Sequence, residues 1–264
     1  MFNDLLSDDH DDELRMHLDN ELGMHLDVPF VPTDERVVNA MLELAAIDAS
    51  DVLYDLGSGD GRIVVAAARD HGARGVGVEI DGGRVKLAQA YAQQMGVDDR
   101  VCFLEEDLFE VDFSPATVVT MYLMDTVNLN LRPRLLNELR PGTRIVSHAF
   151  DMGRWKPDRR VPERGTGLYL WIVPAQVAGT WQWEPAEGQR YSVELEQQYQ
   201  RLTGSLWINE QPVELEAALL WGDLLELIVR YENAYEPQSI VLHCRGDSMV
   251  VVSDYQQGAV ARRV

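Results

Sequence analysis

The pattern of apolar and polar positions changes character about two thirds of the way along the chain. From Val28 to about Ala175, short runs rich in Val, Ile and Tyr alternate with longer runs in which apolar residues recur every three to four positions. The short runs read as strands at Asp51–Leu56, Gly75–Ile80, Val101–Leu104, Ala116–Tyr122 and Thr143–His148. Several are almost continuously apolar, the pattern of a strand covered on both faces. The intervening helices carry their own punctuation. Thr33 is positioned to cap Asp34–Ala46, Arg62–His71 ends at Gly72, and Asp81 precedes a helix that places Val85, Ala88, Ala92 and Met95 on one face before Gly96 stops it. Strand–helix alternation at this spacing predicts an α/β fold, a doubly wound, mostly parallel sheet with right-handed crossovers.

From about Gln176 the period becomes two. Tyr191, Val193, Leu195 and Tyr199 alternate with polar residues, as do Val213, Leu215 and Ala217, and Leu225–Tyr231, Ile240–His243 and Met249–Ser253 continue the theme. Thr203-Gly204, Asn209-Glu210-Gln211-Pro212 and Gly222-Asp223 read as the turns between them. This predicts a smaller, antiparallel all-β C-terminal domain over 176–264, with Trp181, Trp183, Trp207 and Trp221 as core. Ahead of both, Met1–Asp27 holds nine acids against one base, Arg15, and Leu14, Leu18 and Leu22 fall on one helical face. It is read as an acidic, helical N-terminal arm, and 28–175 as the α/β domain.

Charge narrows the choice of partner. Asp plus Glu number 44 and Lys plus Arg 23, a net charge of −21. Affinity for nucleic acid and for anionic membranes rests on Lys and Arg, so both partners are disfavoured and neither is expected, while cationic ones stay open. No apolar run approaches the ~18 residues of a membrane span. Two distant cysteines, Cys102 and Cys244, offer no metal-ligand spacing, and no metal is assigned. The expected location is the cytoplasm.

The chemistry concentrates in Asp51-Val-Leu-Tyr-Asp55-Leu-Gly57-Ser58-Gly59-Asp-Gly61-Arg62, where a strand runs through three alternate glycines into a helix. Such a turn lets a ligand approach the main chain at a helix N-terminus. A dinucleotide fingerprint spaces its glycines at one, three and six to seat a pyrophosphate. Here they stand at one, three and five, after an acid that would repel phosphate but accept hydrogen bonds from an ammonium group. Glu79 ends the second strand, where a carboxylate holds ribose hydroxyls, and Asp107-Leu108 follows the third, where an adenine amino group would lie. Three acids on one sheet edge describe a pocket for a cationic nucleoside without phosphates, which S-adenosylmethionine (SAM) fits.

These residues resemble the class I, seven-β-strand, Rossmann-like SAM-dependent methyltransferases over about Val28 to Pro174. Val31-Pro32-Thr33, Tyr54–Arg62 and Arg140–His148 are similar to blocks of a lysine methyltransferase group that includes the non-SET histone enzymes and mitochondrial enzymes acting on carrier and ATP-synthase lysines. An uncharacterised bacterial branch, with a β-rich tail of its own, is more similar still. The resemblance implies that Asp55, Gly57 and Gly59 meet the methionine part of SAM, that Glu79 holds the ribose, and that Asp107 with Leu108 holds the adenine. It further implies that Pro32-Thr33 closes over the cofactor, with Thr33 in contact. Ser58 and Gly61 of the same turn, and Ile80 beside Glu79, complete the cofactor-binding candidates.

The acceptor belongs near the fourth-strand loop. Met121-Tyr122-Leu123-Met124-Asp125 stands there in place of the Asn-Pro-Pro-Tyr of several N-methyltransferases. Tyr122, Asp125 and His148 are the catalytic candidates, with Asn128, Asp151 and Trp155 nearby in sequence. The expected reaction is N-methylation of an amine acceptor, either a basic protein offering a lysine or a small amine. Small-molecule N- or O-methylation and non-catalytic SAM binding remain the alternatives.

Overall fold

A computed structural model describes residues 30–163, 165–185, 188–231, 234–253 and 256–264; the acidic arm read over 1–27 lies outside them. Strand β1, Val52–Leu56, forms where a buried apolar run meets the first glycine, and parallel neighbours flank it on both sides. On one side stand β2, Arg74–Glu79, and then β3, Val101–Glu105; on the other stand β4, Val118–Met121, and β5, Arg144–His148. A hairpin of β6, Arg159–Glu163, and β7, Thr166–Ile172, completes a seven-stranded sheet in the order β3-β2-β1-β4-β5-β7-β6. β6 and β7 are antiparallel to each other. Leu56, Glu79 and Met121 end their strands on one edge, where Leu56 pairs with Met121 of β4 and with Val78 of β2, one residue before Glu79.

Helices α1, Glu35–Leu44, α2, Arg62–His71, and α3, Gly82–Met95, bury Val38, Met41, Leu42, Ile63, Val64, Val85 and Ala88 in one core with Leu53 and Val118. Helix α4, Asp125–Glu138, follows β4. The caps follow the predicted chemistry with one correction. Asp81 accepts the Gly83 and Arg84 amides, and Gly72 and Gly96 close their helices in the left-handed region. The cap of α1, however, is Asp34, whose carboxylate accepts the Arg36 N–H at 2.9 Å, while Thr33 is buried.

The chain divides into two units, one of residues up to Pro133 with Val146–Leu170, the other of Arg134–Ile145 with Trp171–Val264. The second contains a closed antiparallel barrel of eight strands. These are β8 (Gly179–Trp183), β9 (Tyr191–Gln198), β10 (Arg201–Ile208), β11 (Gln211–Trp221), β12 (Leu224–Arg230), β13 (Gln238–Arg245), β14 (Ser248–Val251) and β15 (Val260–Arg263). Each pairs with its successor and β15 returns to β8, so the sheet has no open edge. Trp181, Trp183, Val193, Leu195, Leu206, Leu227, Leu242 and Met249 fill the interior.

Three expectations fail in the barrel. Trp207 follows the inward-facing Leu206, so it is half-buried and outside the core. Trp221 is 51% exposed, because Leu220 takes the inward position and alternation turns its neighbour outward, opposite Leu224. Thr203-Gly204 is no turn but the middle of β10, beside an irregularity in its pairing with β11. The glycine is there for space, since a Cβ would be driven into the Glu194 carbonyl oxygen of β9. Asn209 and Glu210, both at positive φ, do form a turn, as does Gly222.

Gly204→Ala is therefore expected to cost about 1–3 kcal/mol through the forced shift of β9. Thermal unfolding of the intact chain checks this; an unchanged Tm would restore the reading of this dipeptide as a solvent-facing turn.

Candidate active site

The site begins with the register of the central strands. Asp55 lies opposite Thr120 of β4 on one side and Gly77 of β2 on the other. Its carboxyl group is buried, and the Thr120 hydroxyl donates to it at 2.7 Å. Burial pushes the Asp55 pKa up to about 7, the threonine hydrogen bond pulls it down, and the charges of Asp60 and Glu79 push it up again.

After Leu56 the backbone turns through Gly57, Gly59 and Gly61, all at positive φ. The Gly57 and Ser58 amides both donate to the Val78 carbonyl at 2.9 Å, fastening the turn to the end of β2. The Gly59 amide donates to Glu79 Oε2 at 2.9 Å and the Asp81 amide to Glu79 Oε1 at 3.1 Å. A Cβ at Gly59 would be driven into the ring of Phe30, which lies against this turn.

One cleft opens on this edge, with about 1030 Å³ of space that includes open solvent. Nearly all the sequence-predicted cofactor residues line it: Thr33, Asp55, Gly57, Ser58, Gly59, Glu79, Ile80, Asp107 and Leu108. Gly61 lies just beyond, where it opens α2 and packs against Phe103 and Ala88. Of the catalytic candidates, Tyr122 lines the cleft with Leu123 and Val127. Asp125 and His148 do not line it: Asp125 begins α4 and accepts the Thr126 amide at 2.9 Å, and His148 stands behind Tyr122 with ring centroids 4.1 Å apart. Asn128 and Trp155 are fully buried, and Asp151 accepts the Gly153 amide.

Three contributors escaped the sequence reading. Arg62 is held bidentately by Asp60 and donates to the Thr33 carbonyl oxygen at 2.8 Å. Arg84 lies 3.8 Å from Glu79 and 3.7 Å from Asp81, with its guanidinium 4.6 Å from the centre of the Phe30 ring. The two arginines thus tie Phe30 and Thr33 to the glycine turn. Asp81 and Arg84 stand at i,i+3, one helical turn, and the acid–Gly–Arg sequence Asp60-Gly61-Arg62 hints at a local clamp, but the contacts to Phe30 and Thr33 span some thirty residues or more and leave no periodic signature.

The chemistry of this wall suits a cationic nucleoside. Asp55 is a buried carboxyl group with a hydroxyl donor and room on the cleft side for a cation. Ser58 Oγ is buried in the cleft wall with no hydrogen-bond partner among the described residues. Ile80 is 53% exposed on the cleft, as a surface that a flat ring would cover. Both cleft arginines face carboxylates, so neither is a bare phosphate clamp.

The raised Asp55 pKa has a consequence for stability. Unfolded, Asp55 loses its proton near its ordinary 3.8; folded, it keeps it to about 7. Between these values the folded chain carries the extra proton, so this group's contribution falls as pH rises through that window and is flat above it. Asp55→Asn, which still accepts from Thr120 and buries no charge, is expected to raise the Tm of the ligand-free protein above pH ~7 and to leave it nearly unchanged near pH ~4. Melting curves across this range check it, and equal shifts at both ends would contradict it.

Comparison with known proteins agrees with the wall. Residues 55–159 match the family model described as the ANTKMT methyltransferase domain. The chain is 50% identical over 151 residues to a protein-lysine N-methyltransferase of Saccharolobus islandicus, covering 55% of this chain and 94% of that protein. It is 34% identical to the mouse adenine nucleotide translocase lysine N-methyltransferase over 55% of this chain and 63% of that one. Among solved structures, it is 59% identical, with a TM-score of 0.55, to a Salinibacter ruber protein described as an RNA methyltransferase and bound to S-adenosyl-L-homocysteine, covering 56% of this chain and 96% of that one. With a glycine turn after a buried acid and these relatives, the chain belongs to the class I SAM-dependent methyltransferases, related to the mitochondrial lysine methyltransferases.

Proposed function

We propose that this methyltransferase acts on the ε-amine of a protein lysine. The observation that carries the acceptor is the 50% identity, across nearly the whole of its length, to a protein named for that reaction. The mouse relative named for the same chemistry supports it, with the chain spanning 63% of that protein. The Salinibacter ruber protein is named for RNA instead. Charge favours the lysine: a chain at −21 attracts a basic protein surface and repels a polyphosphate backbone.

The geometry supports an economical division of labour. Asp55 and the Gly57–Gly59 backbone would hold the methionine end of the cofactor, Glu79 the ribose, and Asp107 with Leu108 the adenine. When bound, SAM supplies an electrophilic methyl group on a positively charged sulfur. The rest falls to alignment and exclusion of water, which Tyr122, Leu123 and Val127 provide as an aromatic and apolar wall on the β4 side. A lysine must reach the wall as a neutral amine, and desolvation of its ammonium there favours loss of the proton.

Cofactor uptake is expected to require Asp55 in its charged form. In the free protein the carboxyl is protonated below about pH 7, so SAM affinity should fall roughly tenfold per pH unit below that point and level off above it. Calorimetry from about pH 5 to about pH 8.5 reads this directly, and Asp55→Asn should lose about tenfold or more in affinity at pH ~8. A flat profile would remove Asp55 from the binding site.

The acceptor is tested by incubating the full chain with methyl-labelled SAM and a cell lysate. Label is expected in material destroyed by protease and recovered as methyl-lysine after hydrolysis. Label destroyed by nuclease instead would replace the lysine with RNA, and label confined to small molecules would discard both.

A further inference from the structure

Alternation along the strands of a filled barrel leaves its outer face to polar residues, and on one side of this barrel it does so. Glu194 and Glu196 of β9 and Thr203 and Ser205 of β10 stand on that face and are exposed. Across β11, β12 and β13 the outer positions are different. Trp221, Leu224 and His243 pair in one row across the three strands, and Leu219, Glu226 and Val241 pair in the next. Both rows face away from the interior, which takes Leu220, Leu225, Leu227 and Leu242. Trp221 is 51% exposed and Leu224 39%, with Leu219 and Val241 half-buried beside them. Single exposed apolar residues are ordinary, but a paired group spanning three strands marks a contact surface.

The polar groups of this face are ordered. His243 Nε2 lies 2.9 Å from Asp223 Oδ2, and its Nδ1 accepts from Arg245 Nε at 3.4 Å. Glu226 accepts from the Ser239 hydroxyl. Asp223 is thus matched by the imidazole, and the two rows and their rim keep one acid, Glu226, and one base, Arg245. These stand on opposite sides of the Trp221–Leu224–His243 row. Leu224 pairs with His243 and Glu226 with Val241, so Arg245 lies beyond His243 on the side away from Glu226.

That arrangement selects the occupant. The barrel has no open edge, so a partner must meet it face to face rather than add a strand. A basic protein gains little from a patch whose acid and base cancel, and an anionic surface is repelled by a chain at −21. A second copy of the chain is repelled as well, except where charge is cancelled locally, as it is here. An isologous contact also requires a surface complementary to itself. A two-fold axis along the row lays Trp221, Leu224 and His243 each near its own counterpart and carries Glu226 over the partner's Arg245.

We infer that the chain forms a two-fold dimer through this face of β11–β13, whichever acceptor it methylates. Trp221 and Leu224 are buried at its centre, and two Glu226–Arg245 pairs flank them. The patch is smaller than the ~800 Å² per partner of a standard interface, so the dimer is weak and reversible.

Sedimentation equilibrium of the full chain tests this in ~0.15 M salt, where screening within about 8 Å limits the repulsion between acidic surfaces. A monomer–dimer equilibrium with a dissociation constant of about 1–100 µM is expected. Glu226→Arg and Arg245→Glu should each raise that constant about tenfold or more, because each sets like charges opposite one another twice. An equimolar mixture of the two variants restores both pairs and should dimerise as tightly as the unmodified chain. Trp221→Ser should abolish association. None of these residues lines the cofactor cleft, so SAM affinity should be unchanged throughout.

A chain that stays monomeric up to about 500 µM overturns the proposal and leaves the face to another protein. A dimer indifferent to Trp221→Ser, or folded charge variants that do not pair when mixed, overturns it equally. Where a variant melts early, hydroxyl-radical footprinting of the unmodified chain decides. Oxidation of Trp221 should fall as concentration rises through the dissociation constant, and a constant rate of oxidation defeats the dimer.

Discussion

A carboxyl group buried in the middle of a parallel sheet is the constraint around which the first unit is arranged. Asp55 occupies a position that an apolar residue would fill at lower cost, and the sheet accommodates it through register alone. β4 brings Thr120 alongside as a donor, and β2 brings Gly77, which adds no side chain. The raised pKa shows that one hydroxyl does not offset the burial. The same feature that weakens the fold above pH ~7 places a buried carboxyl group in the cleft wall.

The remaining geometry builds the cleft around it. Glu79 has two roles: it accepts the Gly59 and Asp81 amides, fixing the turn and the start of α3, while its buried position at the end of β2 presents it to the cleft. Arg62 and Arg84 draw Thr33 and Phe30 onto the turn, yet each is matched by a carboxylate. The cleft thus gains rigidity from arginine without gaining affinity for phosphate. On the far side of β1 the cleft wall turns aromatic and apolar, with Tyr122, Leu123 and Val127.

The barrel answers a separate problem. A run of short antiparallel strands must hide its edges, and joining β15 to β8 does so completely. Its interior is side-chain core, with Trp183 stacked on Tyr191 at 5.1 Å and the Trp181 indole donating to the Val177 carbonyl. On its outer surface Trp221 and Leu224 stand exposed on paired positions.

Much of this was legible in the sequence, because the signals are local. Apolar runs ending in glycine specify strand and turn, and a doubly covered strand needs no distant partner to announce itself. The acids at Asp55, Glu79 and Asp107 were legible because their spacing follows strand length. Period-two alternation marked most barrel strands in the same way. What only the tertiary structure decided depends on who stands opposite whom. Thr33 and Asp34 can both cap a helix; the cleft buries the first, so the second does the capping. Gly204 resembles a turn until β9 is laid beside it. Trp221 has the composition of core and the parity of surface. Phe30, Arg62 and Arg84 rest on contacts between residues far apart in the chain, and those contacts exist only once register has been set by the whole sheet.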